Sequence, residues 1–460
     1  MDKRIAALID SYAAEYTAML ARWVQVPSVK AEAAPGAPFG PDVRRMLDVA
    51  LKDLGDMGFQ VRDFDGYAMD ARLAGSTGEE IAVLGHLDVV PVGEGWRVPP
   101  FGAVIEGDTM LGRGTIDDKG PALAAVFAVK ALMEAGIPLR RGIRLILGCD
   151  EESGWKCMDY YTRHTDMPEM GFSPDAGFPL INTEKGALHV FMHGQASPDG
   201  LRVKQLWNGE RLNVIPGAAA ALVEDGGDTL ERVAAFAERT GYDCRGEKTP
   251  EGIRLTVQGV AGHAAYPEHC VNANGLLLLL LRELGVTGCL RTLADAVGLE
   301  YTGASLGIAC EDEVSGHLTC NLGILHMEPD GSVYATLDCR CPISADLARL
   351  DETARAHLPG FTFDPSDFTP AHHVPEDSEL VRELLAAYHE ETGLPPAAES
   401  TGGGTYAKVL RQGVAFGAAF PDETDLCHHA NELVSLRNML RAAKVYANAL
   451  IRLCAEKSGQ

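Results

Sequence analysis

Residues 79–91 read EEIAVLGHLDVVP, and this stretch decides the fold. An apolar run without alternation is typical of a strand that is buried on both faces, as in a parallel sheet covered by helices. Two further segments continue the pattern. Residues 120–136, GPALAAVFAVKALMEAG, predict a helix that ends at Gly136, and residues 140–153, RRGIRLILGCDEES, predict a second buried strand that ends in acids. Strands that alternate with helices predict a layered α/β domain, in which ligands collect at the carboxyl ends of the strands.

The sequence pattern changes beyond residue 185. Segments such as GALHVFMHG (186–194) and GSVYATLDCRCP (331–342) predict short strands among helices and glycine-rich turns, which is typical of an α+β unit. A helical pattern returns at PEDSELVRELLAAYHEETG, where Ser378 is placed to cap a helix. We therefore expect an α/β domain that is interrupted by an inserted α+β domain. The predicted parts are residues 1–185, 186–375 and 376–460.

Composition excludes several classes of protein. The 460 residues are 46% hydrophobic, which is enough for two domain cores. The formal net charge of -25 repels phosphate backbones and anionic lipids, so nucleic acid and membrane surfaces are not expected partners. The longest apolar run, Leu276–Leu281, is far shorter than the roughly 20 residues of a membrane span.

The beginning of the chain and its cysteines indicate a cytoplasmic protein. The first residues mix charged side chains into a helical apolar pattern and lack the order of a secretory signal. The 11 cysteines show no CxxC pair and fit reduced thiols. Cys339 and Cys341 share a face if LDCRCP is a strand, so a thiolate metal pair is one reading. The absence of a second pair favours small buried apolar residues instead.

An imidazole and a carboxylate stand two residues apart at the end of the first buried strand. If the strand continues through His86 and Asp88, both side chains lie on one face, because strand side chains repeat every two residues. This spacing suits a metal-ligating histidine and an acid that orients its ring. A single histidine at a strand end is more often structural, so the pair needs further ligands.

Paired acids follow in two other segments. In MLGRGTIDDKGP, Asp117 and Asp118 either cap a helix or place a carboxylate that bridges two cations. In CDEESG, Glu151 and Glu152 either begin an acidic helix, or one grips a metal while the other moves a proton. Because neighbouring carboxylates repel each other, we expect a cation or a proton to resolve each pair.

Two weaker elements complete the set. Asp175 lies in SPDAGFP, and His428 and His429 lie in DLCHHANE. Each is weak alone, because Asp175 is also typical of a turn and paired histidines occur on plain surfaces. Together, five dispersed segments supply the imidazoles and carboxylates of a plausible two-metal site.

These segments resemble the co-catalytic zinc peptidases, a family that includes aminoacylase, carnosinase, glutamate carboxypeptidase and succinyl-diaminopimelate desuccinylase. They are most similar to the PepV-type bacterial dipeptidases. The matching stretches are GHLDVVPVGEGW, GRGTIDDKGP, DEESG, SPDAGFP, GVAGHAAYPE, LDCRCP, STGGGTYA and HHANE. They keep the family's order and approximate spacing over nearly the whole chain. The resemblance implies an α/β zinc-peptidase catalytic domain, with a mixed sheet flanked by helices, and an inserted α+β lid domain.

The resemblance also implies two divalent metal ions, with Zn2+ expected and Mn2+ or Co2+ as alternatives. The implied ligands are His86, Asp117 and Asp175 for one ion, and Asp117, Glu152 and His428 for the other. It further implies that Asp88 orients His86 and that Glu151 is the general base and acid. The peptide bond after Asp117 is implied to be cis.

Further residues, among them His263 of the lid, are implied to act on the substrate. His263 would close over the substrate and stabilise the developing oxyanion, whereas without the family a core histidine in a loop would be favoured. The residues implied to bind the substrate's carboxylate and backbone are Asn213, Arg340, Gly403 and Gly404. Arg340 suits a carboxylate because its planar guanidinium donates two parallel hydrogen bonds. The glycine run fits the close approach of a ligand, with a plain tight turn as the alternative.

Two details refine the expected activity. Relatives commonly read HQANE where this chain has HHANE, and the fixed distance to Glu432 favours His428 over His429 as the ligand. Asp175 stands where relatives that act on acylated substrates tend to have Glu, which favours a free amino terminus. We therefore expect a monomeric dipeptidase that hydrolyses small peptides with a water held between the metals. The alternatives are an N-acyl-amino-acid amidohydrolase, a carboxypeptidase, or a binding protein that has kept the fold without catalysis.

Overall fold

The structure, a computed structural model, describes residues 2–424 and 426–456. The chain forms two compact units. The larger comprises residues up to 182, residues 373–399 and residues from 404 onward, and the smaller comprises residues 183–372 and 400–403. The smaller unit is thus an insertion in the larger one along the chain. The predicted boundaries after residues 185 and 375 stay predictions.

The helices of the described residues begin and end as follows, in chain order. They are α1 (Lys3–Ser11), α2 (Ala13–Val24), α3 (Pro41–Asp56), α4 (Lys119–Glu134), α5 (Lys156–His164), α6 (Thr229–Thr240), α7 (Ala273–Glu283), α8 (Cys289–Ala296), α9 (Leu347–Ala356), α10 (Glu379–Thr392) and α11 (Leu436–Cys454). A short 3-10 helix covers Tyr406–Val409.

The strands are numbered in the same way. The first nine are β1 (Gln60–Phe64), β2 (Ala68–Leu73), β3 (Glu80–His86), β4 (Val104–Glu106), β5 (Thr109–Leu111), β6 (Gly142–Gly148), β7 (Met170–Ser173), β8 (Ala176–Gly177) and β9 (Ile181–Glu184). The next are β10 (Gly186–Gly200), β11 (Val203–Asn208), β12 (Val214–Ile215), β13 (Ala218–Val223), β14 (Cys244–Thr249), β15 (Gly252–Gln258), β16 (Gly262–His263), β17 (Val286–Gly288), β18 (Glu311–Asp312) and β19 (Gly316–His317). The last are β20 (Thr319–Met327), β21 (Ser332–Cys341), β22 (Phe361–Phe363), β23 (Asp367–Thr369), β24 (His372–His373), β25 (Glu399–Thr401), β26 (Gln412–Ala415), β27 (Ala418–Ala419) and β28 (Leu433–Ser435).

A mixed sheet runs through the larger unit in the order β1-β2-β6-β3-β7-β26-β9. Strands β6, β3, β7 and β26 are parallel to one another, whereas β1, β2 and β9 pair in the antiparallel sense. All residues of β6, and all residues of β3 after Glu80, are buried, which confirms the two strands predicted from their unbroken apolar runs.

Helix α4 lies in the interior of the larger unit, against α11 and β3. Its residues 119–132 are all buried, as expected of a helix that is apolar on every side. Gly136, just after its end, has a φ of 64°, which agrees with the predicted glycine stop. Ser378 accepts the N–H of Val381 and caps α10, as predicted. None of the described helices is both long and apolar enough to cross a membrane.

The smaller unit is built on an antiparallel sheet in the order β14-β15-β13-β11-β20-β21-β10-β17. Helix α7 is rich in leucine and packs against β13, β15 and β20. Cys339 and Cys341 are fully buried in this core. Within residues 2–424 and 426–456 no group of metal ligands includes either thiol, so both belong to the apolar interior.

Candidate metal centre

The candidate ligands lie where three parallel strands end. His86 is the last residue of β3, Glu151 and Glu152 follow β6, and Asp175 follows β7. Parallel neighbours bring these ends to one edge of the sheet. Asp117 reaches the same edge from the segment that precedes α4. The sheet topology therefore gathers residues from distant parts of the sequence.

The carboxylate of Asp117 stands between the two histidines. Its Oδ1 lies 3.0 Å from Nε2 of His86, and its Oδ2 lies 2.9 Å from Nε2 of His428. On the first side, Oδ2 of Asp175 lies 3.7 Å from Nε2 of His86. On the second, Oε2 of Glu152 lies 3.0 Å from Nε2 of His428. Asp117 thus offers one oxygen to each side, as a carboxylate shared by two ions must.

The spacing of these atoms fits divalent ions. Two nitrogen or oxygen ligands on one tetrahedral zinc ion lie roughly 3.3 Å apart, given bonds of about 2.0–2.2 Å. The contacts of the two histidines with Asp117, Asp175 and Glu152 fall between 2.9 and 3.7 Å. In addition, Oε1 of Glu152 is buried and has no hydrogen-bond partner among residues 2–424 and 426–456, so that this oxygen needs a cation or a proton. The residues present therefore fit a metal centre.

The pKa values of the clustered side chains indicate that the site favours positive charge. Burial, and then the neighbouring Asp117, raises the pKa of Glu152 to about 7. Although burial opposes its protonation, the carboxylates of Asp117 and Glu152 raise the pKa of His428 to about 11. Burial likewise opposes ionisation of Asp117, but its two histidines hold its pKa below the usual range. Divalent ions would replace these protons as counter-charges.

The ring of His86 is oriented by a backbone group. Its Nδ1 lies 3.0 Å from the carbonyl oxygen of Asp88, whereas Oδ1 of Asp88 lies 3.6 Å away, beyond hydrogen-bonding distance. The N–H at Nδ1 therefore donates to the carbonyl, and Nε2 faces Asp117 and Asp175. Strand β3 ends at His86, so strand alternation does not extend to Asp88. The orienting contact expected from the carboxylate of Asp88 is thus made by its carbonyl.

The Asp88 carboxylate instead holds the turn that carries the two glutamates. Its oxygens accept the backbone N–H groups of Glu151 at 3.0 Å and Glu152 at 3.2 Å, and the side chain is buried. Asp150 supports the same turn, because it accepts the N–H of Lys156 and pairs with Lys30 at 2.6 Å. These hydrogen bonds to two buried carboxylates fix the direction in which both glutamates leave the backbone.

Glu151 lies beside His86 and Asp175. The ligand atoms of these three residues lie within 4.8 Å of one another, as do those of His86, Asp117 and Glu152. Burial, and then the charge of Asp175, raises the pKa of Glu151 well above its ordinary value. Both a general base for a water at the centre and a metal ligand must lie this close, so the distance fits either role of Glu151. Its role as base stays a prediction.

A buried ion pair that the sequence does not predict supports the centre. Nη1 of Arg113 lies 2.7 Å from Oε2 of Glu432, and the two side chains are 2% and 0% exposed. The other oxygen of Glu432 accepts the N–H of Asp117 at 3.3 Å, and Arg113 donates to the carbonyl of His428. The pair thus joins the segments that carry the two candidate ligands. Both residues occur in the quoted motifs, but nothing in the sequence pairs them.

Smaller features of these segments agree with expectation. The peptide bond between Asp117 and Asp118 is cis. Asp118 accepts the backbone N–H of His86 through Oδ2, so it buttresses β3 rather than capping α4 with its side chain. His429 is exposed, and its Nδ1 lies 2.8 Å from the carbonyl of Cys427 rather than at the candidate ligands.

The remaining predicted site residues, Gly404 apart, belong to the smaller unit, where they form two groups. In the first, β12 pairs with β16, so that Val214 lies opposite His263 and the carbonyl of Asn213 accepts the N–H of Ala264 at 2.9 Å. Asn321 fixes this group from β20, because its amide donates to the carbonyls on both sides of Asn213. These hydrogen bonds therefore fix the backbones of Asn213 and His263 relative to each other.

The second group joins Arg340 to the glycine run. The guanidinium donates to the carbonyl of Gly402 at 3.1 Å and to Oδ2 of Asp338 at 2.8 Å. A Cβ on Gly402 would lie 2.6 Å from Cβ of Ala265, so this glycine permits close packing on the His263 segment. A Cβ on Gly403 would meet only ordinary contact with Thr401. Gly404 follows in the larger unit.

The sequence and fold have known relatives. The family model described as Peptidase family M20/M25/M40 matches residues 82–452. A protein of Bacillus subtilis (strain 168), named "Putative dipeptidase YtjP", is 36% identical over 438 residues, which are 92% of this chain and 93% of that protein.

Solved structures share the fold. The di-peptidase Dug1p of Saccharomyces cerevisiae matches with a TM-score of 0.63 and 13% identity, over 98% of each chain. The YXEP protein of Bacillus subtilis, described as a dinuclear metal binding peptidase from the M20 family, matches with a TM-score of 0.50 and 11% identity, over 96% of this chain and 99% of that one. On the strength of the family model and the relative from Bacillus subtilis, this chain belongs to peptidase family M20/M25/M40.

Proposed function

We propose that this protein is a metal-dependent dipeptidase that hydrolyses dipeptides with a free amino terminus. The carrying observation is the Asp117 carboxylate, which places one oxygen at 3.0 Å from His86 and the other at 2.9 Å from His428. The relative from Bacillus subtilis, named as a dipeptidase, supports the choice of substrate. We further propose that the protein works as a cytoplasmic monomer.

The proposed ligand sets follow the two sides of Asp117. They are His86, Asp117 and Asp175 for one ion, and Asp117, Glu152 and His428 for the other. Nitrogen and oxygen donors of this kind suit zinc, with manganese and cobalt as the alternatives. When bound, two such ions supply Lewis acidity, which makes water a nucleophile near neutral pH and polarises the scissile carbonyl.

The protein's own groups would then manage protons and orientation. Glu151 takes the proton from the attacking water and passes it to the leaving nitrogen. The hydrogen bonds that the Asp88 carboxylate accepts from the backbone of the turn keep Glu151 aimed at the reacting atoms. His263 of the inserted domain donates to the developing oxyanion.

Residues of the inserted domain, with Gly404 of the larger unit, would also supply the contacts that recognise a dipeptide. Arg340 and the backbone of the glycine run, including Gly403 and Gly404, bind the terminal carboxylate of the substrate, and Asn213 binds its backbone. Asp338 already orients the guanidinium of Arg340, which lowers the entropic cost of recognition. A substrate without a free carboxylate is expected to lose these contacts.

Three substrates test the proposal on metal-loaded protein: Ala-Ala, β-Ala-His and N-acetyl-alanine. We expect hydrolysis of Ala-Ala, loss of hydrolysis after chelation, and recovery on return of zinc, manganese or cobalt. Asp117→Asn is expected to lose turnover, whereas Asp159→Asn, the same change at an exposed position of α5, keeps it. Faster hydrolysis of N-acetyl-alanine than of Ala-Ala would replace the dipeptidase by an amidohydrolase.

A further inference from the structure

Large apolar side chains that remain exposed are concentrated around His263. In the described part of the chain the exposed large apolar residues are Ile105, Trp207, Val214, Val260, Tyr266, Val314 and Phe368. Val214 pairs with His263 across β12 and β16, Val260 precedes it by three residues, and Tyr266 follows it by three. Exposed apolar residues are ordinary when scattered, but a group of them indicates a binding surface.

Tyr266 is fixed in place although its ring is open to solvent. Its hydroxyl lies 2.6 Å from Oγ1 of Thr401, and its backbone N–H donates to the carbonyl of His263 at 3.0 Å. The residue is nevertheless 56% exposed, and its ring centroid lies 6.1 Å from that of His263. A tyrosine held by both its hydroxyl and its backbone loses little further conformational entropy when a ligand binds. Its exposed ring is therefore a preorganised apolar surface.

The same tyrosine is tied to the glycine run. Oγ1 of Thr401, its hydroxyl partner, also accepts the N–H of Gly403 at 3.0 Å. The next residue, Gly402, packs on Ala265 and accepts the hydrogen bond from Arg340. Tyr266 is therefore linked to the proposed carboxylate-binding groups through two residues of one short segment.

We propose that Tyr266, together with Val214 and Val260, lines the subsite for the side chain of the substrate's carboxy-terminal residue, and that this subsite selects large apolar side chains. The inference rests on the proposed function, in which Arg340 and the glycine run bind the terminal carboxylate. That carboxylate and the neighbouring side chain leave the same carbon atom. Binding of the carboxylate at Arg340 therefore places the side chain near the glycine run, where the ring of Tyr266 can contact it.

The magnitude follows from apolar burial. A hydrophobic pocket changes kcat/KM by about tenfold or more for each methylene-sized difference that it contacts. We expect the wild-type protein to hydrolyse Ala-Phe and Ala-Leu with a kcat/KM at least about tenfold above that for Ala-Ala. Removal of the ring in Tyr266→Ala should lower this ratio towards one, because the side chain of phenylalanine then stays in water.

The experiment measures kcat/KM of metal-loaded wild type, Tyr266→Ala, Tyr266→Phe and Trp207→Ala on Ala-Ala, Ala-Leu and Ala-Phe. Tyr266→Phe keeps the ring and loses the bond to Thr401, so the preference for Ala-Phe should persist while KM rises for every dipeptide. Trp207 is the matched control, because it is 63% exposed on the same unit and stacks on His326 instead of joining the His263 segment. Its replacement should leave the ratio unchanged.

The outcomes separate this inference from the proposed function. A wild-type ratio near one, or an equal loss for Ala-Ala and Ala-Phe in Tyr266→Ala, would overturn the subsite while the dipeptidase stands. If only N-acetyl amino acids are hydrolysed, the proposed dipeptidase activity is wrong. The ratio of kcat/KM for N-acetyl-phenylalanine to that for N-acetyl-alanine then tests the subsite in the same four proteins. Hydrolysis of neither series overturns both.

Discussion

Replacing Asp88 by asparagine removes one negative charge from beneath the turn that carries Glu151 and Glu152. The carboxylate of Asp88 is 1% exposed and accepts two backbone N–H groups, at 3.0 and 3.2 Å. Asparagine has nearly the same shape but only one acceptor oxygen. One of the two N–H groups therefore meets an amide NH2 group, which is a donor, and loses its partner.

The expected cost follows from these two contacts. A lost hydrogen bond to a charged acceptor is worth about 1.5–3 kcal/mol, and a buried N–H left without an acceptor costs about 1–3 kcal/mol more. We expect the free energy of unfolding of Asp88→Asn to fall by about 2.5–6 kcal/mol. If the turn relaxes by about 1 Å, misplacement of Glu151 lowers kcat by about a hundredfold, and metal affinity falls by about 10–100-fold.

Urea unfolding of the metal-free protein, zinc titration, and kinetics on Ala-Ala at saturating metal measure these three effects. Asp159→Asn is the control, because it makes the same change at an exposed position in the first turn of α5, where loss of the charge should cost less than about 1 kcal/mol. Asp88→Asn with unchanged kcat and a loss of stability below about 1 kcal/mol would refute the role assigned to this carboxylate.

Three further predictions concern the centre and its support. Glu432→Gln should destabilise the protein by about 3–5 kcal/mol in thermal unfolding, because it leaves Arg113 buried without its counter-charge. The exposed pair Arg97–Glu106 is its control, and Glu106→Gln should lower the free energy of unfolding by no more than about 1 kcal/mol. Equal losses of stability in the two variants would show that burial of the Arg113–Glu432 pair does not determine its contribution. Glu151→Gln should keep both ions in metal analysis while kcat falls by about 10²–10⁴-fold, and loss of an ion would make Glu151 a ligand instead. Zinc at about a thousand times its Kd should stabilise the protein by about 4 kcal/mol in calorimetry, and an unfolding midpoint that does not respond to zinc would speak against binding to the folded state.

Local pattern was enough to predict the elements that position the centre. The apolar runs of β3 and β6 predict buried strands, and the ends of these strands do carry His86 and Glu151. The position of His428 was available only through the family's motif order, because the pairing of β28 with β5, which brings its segment near that of Asp117, joins residues more than 300 positions apart. Periodicity in a sequence reports which face a residue occupies, and not which distant segment covers it.

The contacts that the sequence did not reveal depend on where elements end and on which charges meet. Strand β3 ends at His86, so strand alternation does not place Asp88. The Asp88 carboxylate accepts a hydrogen bond from the turn that carries the two glutamates, and the Asp88 carbonyl accepts the N–H of His86. Arg113 and Glu432 look like surface residues by type, since charged side chains are rarely buried unless paired. Only the folded chain shows that they pair.

The most direct test of the metal centre is the metal content of the wild-type protein and of Asp117→Ala, each stripped by chelation, reloaded with zinc and freed of excess. Because the two oxygens of Asp117 lie 3.0 and 2.9 Å from His86 and His428, loss of this carboxylate should weaken both sides at once. We predict two zinc ions per wild-type chain and fewer than one in Asp117→Ala. A wild-type chain that retains no zinc, or an Asp117→Ala chain that retains two ions, would contradict the shared metal centre.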